Sequence, residues 1–472
     1  KAAIERLQVK HPEDLVAENL AGMLFLETGE MERAKAAFES VLEKNPGNLF
    51  ASNSLAKQLI KEKQLTKAKA VYENVLRIHP KHLPTELKLA NIDAAESNLP
   101  SMKERLEVAI KHHPEALPPR LMLGRYFLQV GQPGRTQTLL GTVRKRFSKT
   151  PSFLFLLAEA QLADNQSARA KETAEQLVRI DPDSAENHFM LSKIYGANGD
   201  ARKMRTSLNE ALRVDPKLFK ARLVRVKMLA QDKKISQAKI RLAEITDDYP
   251  ENPSVWELQG WLALRENEPK RAADVYQKML DKYPSTDLAI NLAKVQWTLG
   301  EKDKAIATLA NWSEQHPDDS KVDYYRSVLY AALGQTGKAQ KTLEKVISTN
   351  PKNVLALNDL AWNLRKKDTN KALEYIEKAM ESTPKAIAIL DTYAMILAEK
   401  RQFERAETMM MQVISRTSKK SIFKYHLALI QKKSGQIEKA RNTLSEIFSS
   451  GEDFSEKAEA ELLYKKLSGR GS

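Results

Sequence analysis

His79 and His82 stand three apart, a spacing at which two imidazoles can share a metal ion, and Gly334-Gln335-Thr336-Gly337-Lys338 has part of the look of a phosphate-cradling loop. Neither signal goes far. The glycine segment is two residues too short for a P-loop. Four of the eight histidines, His11, His79, His113 and His316, immediately precede a proline. A helix stops there, and an imidazole at a helix C-terminus can bond free carbonyls and is favoured by the macrodipole. The adjacent carboxylates Asp247-Asp248 and Asp318-Asp319 fall in turns, where acidic residues cap the helix that follows. The GxGxxG, GxSxG and HExxH signatures are absent, and with no cysteine there is no thiolate nucleophile, thiolate metal site or disulfide. These observations predict a chain without catalysis, cofactor or metal.

What positions side chains here is a repeat. Pro12, Pro46, Pro80 and Pro114 are spaced by 34 residues, as are Pro182, Pro216, Pro250 and Pro284, and the series continues through Pro317, Pro351 and Pro384. Ser148 and Ser418 hold the register where the proline is missing. Small and large residues recur at fixed offsets: Ala21-Gly22, Phe25, Ala34 and Phe38, then Leu55-Ala56, Leu59, Ala68 and Tyr72, then Gly260, Ala263, Ala272 and Tyr276. Two helices that touch need small residues at the contact and large ones beside it, and proline ends the second helix. Glycine is scarce, at 17 residues in 472, so connections are short.

This pattern resembles the tetratricopeptide repeat family over nearly the whole chain. The resemblance implies an all-α, right-handed superhelix of about 13 helix-turn-helix repeats plus terminal helices, with a concave groove. The expected organisation is a terminal helix of a preceding repeat in 1–14, repeats 1–4 in 15–150, repeats 5–8 in 151–284, repeats 9–13 in 285–450, and a capping helix with tail in 451–472. Asp93, Pro100 and Met102 depart from the pattern and mark an expected weak unit. The first helix, Ala2 to Lys10, reads as half of a missing repeat, so the natural protein is expected to extend upstream.

In this family the first helix of each unit lines the groove, with positions 2, 5, 9, 12 and 13 facing it. Position 9 here runs Met23, Lys57, Asn91, Arg125, Glu159, Lys193, Lys227, Trp261, Lys294, Val328, Trp362, Met395 and Leu429. Its middle is basic and its last third apolar. Positions 5 and 12 add Phe155, Phe189, Trp297, Tyr324, Asp391 and Tyr425, whereas Trp256 and Trp312 fall at packing positions. The candidate partner site is therefore Arg125, Lys193, Lys227, Trp261, Lys294, Trp297, Tyr324, Asn358, Trp362, Asp391 and Tyr425. Two readings stand at this point: the aromatics wedge between helices, or they form open platforms for a peptide or a sugar ring, with the cations holding anions.

The net charge of +15 is uneven: residues 101–150 and 201–250 are each +7 and 401–450 is +6, but 1–50 is −3 and 151–200 is −4. That alternation argues against a continuous nucleic-acid stripe and leaves acidic partners or an acidic polymer open. No apolar run of 18 residues exists, so no transmembrane segment is expected.

Asn358-Asp359-Leu360-Ala361-Trp362, Lys371-Ala372-Leu373-Glu374, Leu390-Asp391-Thr392-Tyr393-Ala394 and Tyr425-His426-Leu427-Ala428 are also similar to the last repeats of the bacterial PEP-CTERM/exopolysaccharide-associated TPR lipoprotein family. That similarity implies a scaffold in the bacterial periplasm, anchored at the outer membrane by a lipid carried upstream, with the cytoplasm as the alternative. The function expected is non-enzymatic binding of a partner protein or peptide in the groove, within envelope export or exopolysaccharide assembly. The alternative is direct binding of an acidic polysaccharide.

Overall fold

The structure is a computed structural model that describes residues 14–418 and 420–469. The helix expected over Ala2 to Lys10 lies outside them, as does His11. Among the described residues there are 28 helices and no strand.

The 34-residue period has a simple construction, visible in one repeat. The 13-residue helix Leu49–Lys61, a three-residue turn, the 14-residue helix Leu65–Ile78 and a four-residue loop fill it. The turn demands a left-handed residue. Gly29, Gly131, Gly199, Gly300, Gly334 and Gly435 supply it cheaply, but Lys63, Ser97, Asn165, Lys233, Asn267 and Arg401 hold the same conformation with a side chain. Proline follows the C-cap residue of most second helices, as at Asn45-Pro46 and His79-Pro80.

The chain forms two compact units, divided between Arg225 and Val226 within the helix Phe219–Gln231. The first unit contains six helix pairs, from Leu15–Glu27 with Met31–Lys44 to Ala185–Ala197 with Ala201–Val214. Its fourth pair is irregular, because Pro133–Gly141 stops early and the short helix Arg144–Phe147 follows. The second unit runs from Ile235–Asp248 through six further pairs, the last being Ser421–Lys433 with Ile437–Ser450, to the terminal helix Lys457–Leu467. With Phe219–Gln231 pairing in sequence with Ile235–Asp248, thirteen pairs follow one another, as the period predicts.

Most pairs close where the sequence pattern places a small residue. Ala34, Ala68, Ala170, Ala272 and Ala372 are fully buried. A Cβ on Gly22 would lie 2.6 Å from the Phe38 ring, and one on Gly260 would lie 2.5 Å from Tyr276. Only glycine admits the facing ring at those two contacts.

The loops are stitched between neighbouring pairs. His79 Nε2–H donates to the Gly47 carbonyl (3.2 Å), His113 Nε2–H to Lys81 (2.8 Å) and the Tyr283 hydroxyl to Glu251 (2.9 Å), each across 32 residues. The pre-proline histidines thus bond carbonyls of the preceding repeat's loop rather than of their own helix; His316, stacked at 4.0 Å on Trp312, does bond its own helix.

The period drops to 33 residues before Pro317 and before Pro384, and the lost residue comes from a loop in the first case and from a first helix, Val354–Leu364, in the second. Only Tyr283, Pro284 and Ser285 separate the helices at the first, whereas at the second the helix has 11 residues and the turn of Arg365 to Asp368 contains no left-handed residue. The residues that depart from the pattern are each accommodated. Pro100 sits in the first turn of Leu99–His112, where proline is tolerated, and Met102 is buried. Asp93 is fully buried, held by Lys69 at 2.5 Å and Arg105 Nε at 2.6 Å. In the terminal helix the packed face is Ala460 and Leu463, and Ala458 and Leu462 are exposed.

Candidate functional site

First helices of successive pairs touch one another in the second unit: Val354–Leu364 meets Ile387–Glu399, which meets Ser421–Lys433. Residues at one helical position therefore line up from pair to pair. Trp362, Met395 and Leu429, all at position 9, line a single cleft of about 410 Å³ together with Tyr425, Arg365, Lys366, Lys432, Lys433, Glu399, His426 and Glu456.

Its floor is polar and buried. His426 Nδ1–H donates to Asp391 Oδ1 at 2.7 Å, and its Nε2 lies 3.4 Å from Glu456 Oε2, on the residue that precedes the terminal helix. Burial alone pulls the imidazole pKa down, but the bonds to Asp391 and Glu456 and their charges overturn this and hold it up at about 9. The hydrogen bond to His426 pulls Glu456 below the usual carboxylate range. His426 is therefore a cation at neutral pH, wedged between two carboxylates.

Trp362 forms the wall. Half-buried, its indole packs on the cluster of Leu390, Ala394 and Met395 and lies 5.4 Å from the His426 ring. The Arg365 guanidinium lies over the ring, 3.6 Å from its centroid, and Nη1–H donates to the Trp362 carbonyl at 2.6 Å. Arg365 Nε is buried without a hydrogen-bond partner, and burial lowers the pKa of the group.

Of the other site residues predicted from sequence, Arg125, Lys193, Lys227 and Lys294 are exposed. Lys193 lies 5.6 Å over the Phe189 ring, and burial by the surrounding protein lowers its pKa even though water reaches it, as expected for a cation in a concavity. Lys294 lies 4.7 Å over Tyr325. Trp261 and Trp297 are half-buried, with Arg265 at 5.0 Å and Lys302 at 5.5 Å over their rings. Trp256 packs on the core cluster of its pair and Trp312 is buried, as their positions predict. The Tyr324 hydroxyl donates to Asp359 Oδ2 at 3.1 Å, and Asn358 Nδ2–H to Asp359 Oδ1 at 3.4 Å. Burial raises the pKa of both Asp359 and Tyr324.

Asp391 and Tyr425 differ from the expectation of open groove residues, since both are buried. Asp391 is spent on His426, and the Tyr425 ring is part of the core under the terminal helix, packed on Phe454. Both shape the cleft from below.

Sequence reasoning passed over a second cleft, in the first unit. It has a volume of about 460 Å³ and lies along Leu49–Lys61 and Leu83–Ala95, with Phe50, Ile60, Tyr72 and Ile92 as apolar walls and Lys57, Asn91 and Lys88 among them. Lys88 is bonded to Asn53, lies 5.4 Å over Tyr72, and is pushed down in pKa by burial. The signal was there in Phe50 and Ile60, large apolar residues at positions where the helix faces water; they are 43% and 39% exposed.

His79 and His82 do not converge on a metal. Their rings are 6.5 Å apart, and the nitrogens reach the Gly47 carbonyl and Thr85 Oγ1 instead. Among the described residues no cluster of three potential ligands occurs, and no helix is long and apolar enough to cross a membrane.

Models of the tetratricopeptide repeat match residues 20–48, 121–185, 185–218, 229–286, 263–327 and 326–353. No curated protein matches the chain. Among solved structures, the crystal structure of the APC/C hetero-tetramer Cut9-Hcn1 aligns over 99% of this chain and 98% of that chain, with 14% identity and a TM-score of 0.40.

Proposed function

We propose, for a chain that belongs to the tetratricopeptide repeat family, a non-enzymatic scaffold that binds a partner protein or peptide on the face made by its first helices. The observation that carries this reading is the lining of the clefts. Both are formed at groove positions of consecutive first helices, and both combine open apolar surface with cations. Phe50 and Ile60 are not scattered surface residues but line one cleft together with Tyr72 and Ile92, a contiguous apolar patch of the kind that marks a binding surface. Partners that carry carboxylates beside apolar side chains complement such a lining.

The envelope setting, with export or exopolysaccharide assembly as the process and the periplasm as the compartment, rests on the resemblance of the Asn358–Trp362, Leu390–Ala394 and Tyr425–Ala428 segments. An outer-membrane lipid anchor belongs to the same proposal. Direct binding of an acidic polysaccharide is the second reading, favoured by exposed Lys227 and Lys294 in the unit that holds Trp261 and Trp297. It ranks second because cations already cover a face of Trp261, Trp297 and Trp362, the surface a sugar ring would stack on.

Photo-crosslinkers placed at Lys227, Lys294 and Val328 test the reading, with Met411, exposed on a second helix, as control. Crosslinks to one protein from the first three positions and none from Met411 are expected. Equal yields from all four, or saturable binding of acidic oligosaccharide with no protein adduct, would refute it. Cell fractionation decides the compartment.

A further inference from the structure

We infer that the cleft between Val354–Leu364, Ile387–Glu399 and Ser421–Lys433 anchors an acidic peptide segment through one carboxylate and the apolar side chain next to it, the carboxylate on Arg365 and the side chain against Trp362 and Leu429. This deepens the scaffold reading and rests on it.

The charges in the cleft do not cancel. Lys433 is paired with Glu399, and His426 occupies both Asp391 and Glu456. That exhausts the carboxylates. Arg365, Lys366 and Lys432 line the same space and, among the described residues, have no carboxylate within 4.0 Å. For Lys366 and Lys432, which are exposed, water suffices. For Arg365 it does not: its Nε is cut off from solvent and unbonded, and its one hydrogen bond is to a backbone carbonyl. Glu399, Glu456 and Asp391 act on the guanidinium only from a distance, and a carboxylate arriving at its Nη atoms would pair it directly and offset part of the cost of burying its charge.

Stacking on Trp362 fixes the guanidinium plane, so its free edge presents donors in the fork that matches a carboxylate. Beside it, Trp362 and Leu429 form a wall that no simple anion would use. At about 410 Å³ the cleft is at the small end of the usual range for ligand sites, about 300–1,000 Å³, and suits one or two side chains rather than a long ligand. A peptide places a carboxylate and an apolar group on neighbouring residues; phosphate supplies only the first, and a uronic acid chain lacks an apolar side chain.

Fluorescence anisotropy of the whole chain with a labelled, end-blocked hexapeptide of alternating glutamate and phenylalanine tests this. Parallel peptides carry glutamine for glutamate or alanine for phenylalanine, and inorganic phosphate and a uronic acid oligosaccharide serve as competitors. The alternating peptide is expected to bind at least tenfold more tightly than either parallel peptide. Arg365→Lys, which keeps the charge and loses the fork, should weaken it about tenfold, and Lys432→Glu about threefold. If Arg365→Lys disturbs the fold by circular dichroism, the exposed Lys432→Glu decides. Peptide binding that ignores glutamate and both substitutions would overturn the inference and leave the scaffold reading standing. Failure of every peptide to bind overturns it too, and if the oligosaccharide binds in their place the scaffold reading falls with it.

Discussion

Raising the pH from near 6 to near 9.5 should loosen the C-terminal end of the chain by about 3 kcal/mol, through His426 alone. In the unfolded chain its imidazole titrates near 6.5; in the folded cleft, between Asp391 and Glu456, it titrates at about 9. A raised pKa means that the proton is bound more tightly when folded. The stabilisation is therefore complete below about 6.5 and disappears as the pH passes about 9. At about 1.4 kcal/mol per unit the full difference between the two values is about 3.5 kcal/mol, of which about 3 is lost between pH 6 and pH 9.5. The lowered pKa of Glu456 is the same contact seen from its other side, and its part is lost in acid, below the ordinary carboxylate range. The contact is thus at full strength in a window from about pH 4.5 to 6.5. Arg365 faces the same carboxylates but stays charged throughout. Because neighbouring repeats share the array's stability, the readout must be local. Hydrogen exchange over 421–433 and 457–467, corrected for the intrinsic pH dependence, should lose protection with alkali in the native chain and not in His426→Gln. Equal losses in both chains, or an NMR titration of His426 centred near 6.5, would refute the argument.

Lys63→Gly, Lys233→Gly and Arg401→Gly should each stabilise by about 0.5–1 kcal/mol, since each relieves a side chain held at φ near +60°; a lower melting temperature in any of them would contradict this. Gly260→Ala should cost about 1–3 kcal/mol in thermal melts, because the new methyl meets Tyr276 at 2.5 Å, whereas Gly134→Ala, with open space around it, should cost nothing. Trp256→Ala should destabilise by about 3 kcal/mol and Trp261→Ala by under half as much, since Trp256 packs on the core cluster of its pair and on the Tyr283 ring while Arg265 is what covers the Trp261 ring; equal losses would mean that the groove assignment of Trp261 is wrong. Asp93→Asn should cost about 2 kcal/mol in urea melts of the first unit, the partly exposed Lys69 and Arg105 keeping it below the usual loss for a fully buried pair.

The parts of the fold legible in the sequence are those that allow one solution. Proline after a second helix, Gly22 under Phe38 and Gly260 under Tyr276 are steric necessities, and they recur at the period. The alignment of Trp362 with Met395 and Leu429 follows from the same period. What stayed hidden depends on partners one repeat away. Asp391 reads as a groove residue until His426, 35 positions later, claims it. Asp93 reads as a defect until Lys69 and Arg105 arrive from the helices on either side. Position on a helix gives the direction of a side chain and not its exposure, because long neighbours such as Arg265, Lys302 and Arg365 fold back over the aromatic beneath them.

The hydrogen bonds that tie loop to loop, from His79, His113 and Tyr283, bear on how the chain responds to tension. Pulled by its ends, the chain carries load across each junction between hairpins, and at these three junctions a loop-to-loop hydrogen bond adds to the side-chain packing, joined by the ion pairs Lys282–Glu251 and His112–Glu86 at two of them. Such links can part and rejoin while each hairpin keeps its own helices. Strain is first taken up as small openings between neighbours, and then by loss of one hairpin at a time, each releasing on the order of 110 Å of extended chain. A molecule with these junctions stretches as a series of short yielding steps, and those without a tie are the places where it should give first.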